Sequence, residues 1–500
     1  MLRLTPTSHW PVFDSAGIRT LEHALQQRSQ TPLMETAGLA AAHLALSIAP
    51  HAQRIWIAAG PGNNGGDGLE AALHLHQWGK TVIVSLIGDA KSRPADAQLA
   101  WQRATQAGVT ITTHLPWNGL KDMTAQDLCI DALLGLGANR PLAAPMQTWI
   151  HAINNAKAHI LALDVPTGLN TETGQLLGCL DAEPEAIRAE HTLTFIAAKP
   201  GLFMGHGRDV CGHIWLASLE PPGSSPEWLS AATPQAWLNP APKVVSKTHA
   251  SHKGSHGDIV VIGGESLSLR GMGMTGAAVL AATAALHAGA GRVMLNLLGS
   301  TPCPQVPNDV MQREWSVLNL EHQVVVCGCG GGEAVVPVLA QVIQRSALLV
   351  LDADGLNAVA KVPQLQILLQ SRPPHQGTVI TPHPLEAARL LNVSTREIQG
   401  HRLQAAQDLA HRFNCTVVLK GSGTVIASPG QTSRINTSGN GLLAIGGTGD
   451  VLAGLLGARI AQGQSAFMAA CSAVHQHGAL ADEWPEHEAL TASRLAQRLC

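Results

Sequence analysis

Two successive α/β domains, each built on a mainly parallel sheet, are what this sequence predicts. Short β-branched or apolar runs alternate with longer helical patterns along both halves, the mark of strand–helix–strand units. The chain is 500 residues long, more than one ordinary core organises. A weakly periodic stretch over 219–253 holds six prolines and parts the halves, so domains are expected at 1–220 and 246–500 with 221–245 as a linker.

Taken in order, the first half is expected to place buried strands at 54–59, 81–87, 127–133 and 159–164. Helical patterns fill 67–78, 94–107 and 146–156. In the second half, strands are expected at 258–262, 292–297, 323–327, 347–351 and 416–419, with helices at 276–287, 394–413, 449–461 and 465–480. No period of 20–50 residues recurs.

Composition narrows function. Charged residues make up 13% of the chain and the net charge is −3, so no basic surplus exists for a phosphate backbone. With no Tyr, five Phe and eleven Trp, rings for base stacking are few, and no nucleic-acid partner is expected. An apolar share of 45% excludes a disordered chain. The longest apolar stretch, 276–286, falls short of the roughly 20 residues of a membrane span, so no membrane association is expected. The opening Met1–Leu2–Arg3–Leu4–Thr5–Pro6 carries no apolar core of a secretory signal. Nine cysteines, an odd number without a Cys-x-x-Cys pair, point to reduced, buried thiols in a cytoplasmic protein.

Gly60-Pro61-Gly62-Asn63-Asn64-Gly65 follows a strand and opens a helix, as a dinucleotide fingerprint does. Asn63, Asn64 and Asp67 nevertheless put two amides and a carboxylate where a pyrophosphate would lie. That composition suits cation chelation or polar substrate recognition. Two further strand ends carry an acid and a turn: Asp131-Ala132-Leu133-Leu134-Gly135-Leu136-Gly137 and Asp164-Val165-Pro166-Thr167-Gly168. In open α/β sheets, ligands bind beyond the carboxyl ends of strands, so the three loops are expected to converge on one site. An aspartate after a strand also serves simply as a turn or cap residue.

These motifs, with Phe195-Ile196-Ala197-Ala198-Lys199-Pro200-Gly201 and the leading Arg19…Glu22 and Met34-Glu35 pattern, resemble the NAD(P)H-hydrate epimerase domain over roughly 18–217. The resemblance implies a Rossmann-like three-layer fold. It also implies that Asn63, Asn64, Gly65, Gly66 and Asp67, with Gly135, Leu136, Gly137, Ala138, Asn139, Arg140, Pro141 and Asp164, hold the hydrated nicotinamide nucleotide. Asn64, Asp131 and Thr167 would bind potassium, and Asp164 would do acid/base work at the C6 hydroxyl centre. Thr167 stands where the family more often has Ser, which keeps the hydroxyl. Glu70 stands where an apolar residue is usual.

In the second half, Gly446-Gly447-Thr448-Gly449-Asp450 puts glycines directly before a helix, exposing backbone N–H groups to a transferring phosphoryl group. Asp450 is set to deprotonate an attacking hydroxyl. This pairing resembles ribokinase-like small-molecule kinases. Lys420-Gly421-Ser422-Gly423-Thr424, Thr381-Pro382-His383-Pro384 and Leu351-Asp352-Ala353-Asp354 lie at further strand ends. Together they resemble the ADP/ATP-dependent NAD(P)H-hydrate dehydratase domain over about 252–495. That resemblance assigns Ala277, Gly332, His383 and Asp450 to the substrate, and Lys420, Gly421, Ser422, Gly423, Thr424 and Gly449 to the adenine nucleotide, with Mg²⁺ accompanying ADP.

The family turn Gly-Pro-Gly-Leu-Gly is here Gly328-Cys329-Gly330-Gly331-Gly332; Leu385 replaces a usual Gly and Gly441 a usual Pro. Cys327 and Cys329, lacking a second pair, are not expected to bind zinc. His74/His76 and His475/His477 are expected as packed or solvated histidines, since i,i+2 residues on a helix do not share a face. The expectation is a bifunctional repair enzyme for NADHX and NADPHX, assembled as a homo-oligomer. The alternative is a ribokinase-like kinase with an N-terminal ligand-binding domain.

Overall fold

The computed structural model describes residues 1–499 apart from 90–91, 179–182, 222–225, 244–247, 300–305 and 374. The chain divides into one compact unit of 1–5 with 10–236, and a second of 6–9 with 237–500. Asn239 already belongs to the second: its backbone N–H donates to the Ile435 carbonyl at 2.9 Å and its amide to the Cys471 carbonyl at 2.9 Å.

In the first unit the strands lie in the spatial order Leu2–Arg3, His213–Ala217, His191–Phe195, His159–Leu163, Leu128–Ala132, Arg54–Ala59, Thr81–Leu86 and Thr110–Thr112. All pairings are parallel except that of Leu2–Arg3. Strand Arg54–Ala59 is followed outward by 81–86 and 110–112, after which the chain crosses to Leu128–Ala132 on its other side. The order therefore reverses between these two central strands, where a crevice opens at the carboxyl ends.

The second unit repeats the device. Its order runs Met311–Gln312, Arg292–Leu297, Asp258–Gly263, Val324–Cys327, Leu348–Leu351, Thr378–Ile380 and Thr416–Leu419, all parallel. The antiparallel pair Val425–Ser428 and Gln431–Ile435 extends it. Here the reversal falls between Asp258–Gly263 and Val324–Cys327. The expected strands agree within a residue, because fully buried parallel strands read as continuous apolar runs.

The helix expected at 146–156 is Ala144–Asn154, and two others differ more. The helix expected at 67–78 is Asn63–Gln77, so the amide–glycine run is its first turn rather than a loop before it. The glycines there have ordinary helical backbone; what they supply is closeness. A Cβ at Gly65 would lie 2.1 Å from the Gly60 carbonyl oxygen, at Gly66 2.5 Å from Met34 Sδ, and at Gly68 2.6 Å from Ala132 Cβ. The helix expected at 394–413 is two, Thr395–Gly400 and Arg402–Phe413, broken at His401 with φ −143° and ψ 49°.

Glu70, unexplained by family pattern, is 2% exposed and pairs with Arg103, which also pairs with Glu35. This ion triad ties helices Leu33–Ile48, Asn63–Gln77 and Ala95–Gln106. Burial pushes the Glu70 carboxyl up, and Arg103 pulls it back. At the same contact a Cβ on Gly38 would stand 2.1 Å from Glu70 Cβ. Gly38→Val is therefore expected to destabilise the first unit by about 3 kcal/mol, read as the free energy of its denaturant transition. A change below about 0.5 kcal/mol would show that the two helices separate freely.

Candidate active sites

At the first crevice a cavity of 510 Å³ is lined by Asn63, Asn64, Asp67, Gly135, Leu136, Gly137, Ala138 and Asp164 among the expected residues. Gly65 and Gly66 are buried behind it in helix packing, and Asn139, Arg140 and Pro141 are exposed and off its lining. Asp164 ends strand His159–Leu163 in a left-handed conformation, φ +65°. Its Oδ2 accepts the Leu136 N–H at 2.8 Å and its Oδ1 meets Lys199 Nζ at 2.7 Å. Lys199 is itself 1% exposed, and its ammonium donates to Thr194 Oγ1 at 2.8 Å and the Phe195 carbonyl at 2.9 Å. A buried charge is stable only when paired and hydrogen-bonded in this way.

Four carboxyls, of Glu22, Asp67, Asp96 and Asp164, share this cavity. Burial, then Asp164 and Glu22, push Asp67 well above the usual carboxylate range. Burial and Asp164 likewise push Glu22 up, with Lys199 and Arg19 pulling it back. Lys199, Glu22 and Arg19 had no individual role assigned from sequence; their only signal was membership of the quoted motifs.

Behind the cavity, Asn64, Asp131 and Thr167 converge. Asp131 is fully buried; its carboxylate accepts the Thr167 N–H and hydroxyl, each at 2.8 Å, and the Leu133 N–H at 3.1 Å. Burial pushes its pKa to about 6, against the pull of those donors. Asn64 donates through Nδ2 to the Leu134 carbonyl at 3.0 Å, while its buried Oδ1 has no hydrogen-bond partner. An orphaned amide oxygen beside a carboxylate, a hydroxyl and a carbonyl is a donor set for a hard cation.

In the second unit, helix Thr448–Ala461 opens after Gly447, φ +93°, with Asp450 in its first turn. Burial and then Asp352 push Asp450 to a pKa of about 7. Lys420 ends strand Thr416–Leu419, and its Nζ lies 2.7 Å from Asp352 Oδ1. A Cβ on Gly449 would lie 3.4 Å from Lys420 Nζ, so Lys420, Gly449 and Asp450 are brought together. Gly332, φ +51°, donates its N–H to Asp354 Oδ2 at 2.8 Å. Ala277 lies in the first turn of helix Thr275–His287, and a Cβ on Gly330 would stand 2.8 Å from its own Cβ.

His383 works structurally as a helix cap. Its Nδ1 accepts the N–H groups of Leu385 and Glu386 at the start of helix Pro384–Leu391. Burial, then Lys420, lower its pKa, so it stays neutral and able to accept. Burial pushes Glu386, its capping partner, to about 7.

The Lys420–Thr424 turn is held by Arg402, a residue that the sequence pattern places merely inside a helix. Arg402 is 2% exposed, and its Nη2 donates to the carbonyls of Leu419, Lys420 and Gly423 at 3.1, 3.2 and 3.4 Å. Gly421, φ +132°, and Gly423, φ +67°, allow the turn; Ser422 is exposed, and Thr424 Oγ1 donates to the Gly421 carbonyl at 3.0 Å. His477 is buried, its Nε2 2.9 Å from the Thr448 carbonyl; His475 is also buried. Cys129, Cys211, Cys327, Cys329, Cys415 and Cys471 are free and buried; Cys179, Cys303 and Cys500 lie outside the described residues. Among the described residues no helix is long and apolar enough to cross a membrane.

The molecule is thus a two-site α/β enzyme, with an acid-lined site at the topological switch point of each sheet. Residues 30–201 match the family model described as YjeF-related protein N-terminus, and 259–500 the model described as NAD(P)H-hydrate dehydratase. The bifunctional NAD(P)H-hydrate repair enzyme Nnr of Escherichia coli K12 is 36% identical over 472 residues, 90% of this chain and 84% of that one. The Coxiella burnetii enzyme of the same name is 34% identical over 493 residues, 95% of each. The ADP/ATP-dependent NAD(P)H-hydrate dehydratase of Bacillus subtilis, crystallised with ATP and Mg²⁺, overlays with a TM-score of 0.43 at 28% identity, covering 51% of this chain and 92% of that one. The chain belongs to the family of bifunctional NAD(P)H-hydrate repair enzymes.

Arg402→Met removes the donor shared by three turn carbonyls. ADP binding measured by calorimetry is expected to weaken about tenfold, and an unchanged affinity would show that the turn holds its shape without Arg402.

Proposed function

We propose that the first domain interconverts the R and S hydrates of NADH and NADPH, and that the second dehydrates the S form at the expense of ADP, giving AMP and phosphate. The observation that carries this reading is Asp450, seated in the first turn of a glycine-led helix beside Lys420, in a chain that also holds the Asp164–Lys199 cavity.

In the second domain Asp450 takes the proton of the C6 hydroxyl as that oxygen attacks the terminal phosphoryl group of ADP, and AMP leaves. The N–H groups at Gly447–Gly449, the helix dipole and Lys420 receive the charge that develops on the phosphoryl oxygens. Phosphate then departs from C6 while C5 loses a proton, restoring the nicotinamide double bond. Mg²⁺ bound to ADP would neutralise phosphate charge. Phosphorylation turns a poor leaving group into a good one, which is why a kinase fold serves a dehydratase.

In the first domain Asp164, oriented by Leu136 and Lys199, moves the proton at the C6 hydroxyl centre. Asn64 Oδ1, Asp131, Thr167 Oγ1 and the Leu134 carbonyl would hold potassium, which supplies a fixed positive charge at the cavity wall. A kinase would instead release a stable phosphorylated product.

Full recovery of NADH absorbance from mixed hydrate epimers with ADP and Mg²⁺ is expected; recovery of about half leaves only the second activity, and none overturns the reading. Asp450→Asn is expected to abolish recovery while epimer exchange persists. Because Asp450 acts as a base and its pKa lies near 7, dehydration should fall as pH drops through about 7 and level off above it. Potassium, against choline, is expected to raise the melting temperature of the wild type but not of Asp131→Asn; equal shifts in both would refute the cation site.

A further inference from the structure

Resting on Asp450 as the base of the dehydratase reaction, we propose that Cys329 is its positioning residue, donating a hydrogen bond from the thiol to the Asp450 carboxylate and holding that carboxylate as an acceptor aimed at the substrate hydroxyl. The turn here is Gly328-Cys329-Gly330, in which the thiol is the one side-chain donor.

The backbone fixes where this thiol points. Cys329 sits at the switch point of the second sheet, directly beyond strand Val324–Cys327. Gly328, φ +115°, and Gly330, φ +58°, form a turn that a chain of ordinary residues resists. Across the crevice, the Gly264 N–H donates to the Cys329 carbonyl at 2.9 Å and the Glu265 N–H to the Gly330 carbonyl at 2.7 Å. The residue is 1% exposed and clamped on both sides. Its Sγ and one oxygen each of Asp352 and Asp450 all lie within 4.8 Å of one another, which sets the thiol against the Asp450 carboxylate.

The division of partners is the second argument. Lys420 Nζ occupies Asp352 at 2.7 Å, and Asp450, which has no ion pair among the described residues, is left facing the thiol. Besides these, Asp354 acts on Asp450, and from helix Ala466–Asp482 His477 Nε2 lies 2.9 Å from the carbonyl of Thr448, two residues before it. Helix Thr275–His287 presents none before His287, and Arg494 of helix Ala492–Gln497 is exposed. Burial, then Asp450 and Asp352, hold the Cys329 thiol well above its ordinary range, so it remains S–H and can only donate to a carboxylate. Burial and Asp352 favour a protonated Asp450; the thiol opposes them, as does Lys420.

The test is the pH dependence of NADHX dehydration by the full chain with ADP and Mg²⁺. Cys329→Ala is expected to move the acid limb of kcat up by about half a pH unit, roughly a threefold loss of rate below the limb, and Cys329→Ser to restore it. An unshifted limb in Cys329→Ala, or one that Ser leaves shifted, overturns the proposal while the dehydratase reading stands. Infrared spectroscopy reads the bond without turnover. The S–H stretching band assigned to Cys329 by difference against Cys329→Ser is expected to shift in Asp450→Asn; an unmoved band overturns the proposal, even where Cys329→Ala fails to fold. Absence of NADH recovery in the wild type, with the band shifting, overturns the dehydratase reading alone.

Discussion

A Cβ on Gly60 would stand 1.7 Å from the Leu133 carbonyl oxygen, and the first site depends on that close approach of two strand ends. Gly60 closes one central strand and Leu133 the other, so any side chain there would prise open the crevice that brings Asn64, Asp131 and Asp164 together. The second domain solves the same problem with other residues. A Cβ on Gly263 would lie 2.3 Å from the Cys329 carbonyl oxygen, and one on Gly454 2.0 Å from that of Ala281. Glycine's missing carbon, beside its tolerance of positive φ, is what lets backbone meet backbone at both sites.

Around these close approaches, acids are sorted by whether a cation reaches them. Lys199 pairs with Asp164 and Lys420 with Asp352, both lysines largely withdrawn from solvent. Asp67, Asp131, Asp450 and Glu386 are buried or crowded by other acids without such a direct partner, and their pKa values are pushed up. Each site thereby sets a lysine-paired carboxyl beside one whose pKa is pushed up. Neighbouring carboxyls with separated pKa values are the usual basis for dividing acid and base work.

The strands were legible because burial on both faces writes them as uninterrupted apolar runs, as at Arg54–Ala59, Arg292–Leu297 and Thr416–Leu419. The start of helix Asn63–Gln77 was not: Asn, Gly and Asp have low intrinsic helix propensity, and tertiary packing against Gly60, Met34 and Ala132 overrides it. Nor were the single-residue supports. Arg402, Lys199 and Glu70 sit in stretches whose pattern says only helix or turn, and their partners lie 17, 5 and 33 positions away, a pairing no periodicity encodes.

By itself, the sequence determined two α/β domains, their order, and the strand-end loops where chemistry gathers, because these follow from hydrophobic period and local turn composition. It also carried the motifs that mark the family. The tertiary structure alone decided which loop residues face a cavity and which fill a helix contact, which acids have a counter-ion, and that His383 caps a helix. It also set the Cys329 thiol against Asp450. These depend on distances of a few ångströms between segments far apart in the chain, where burial and charge act through space rather than along it.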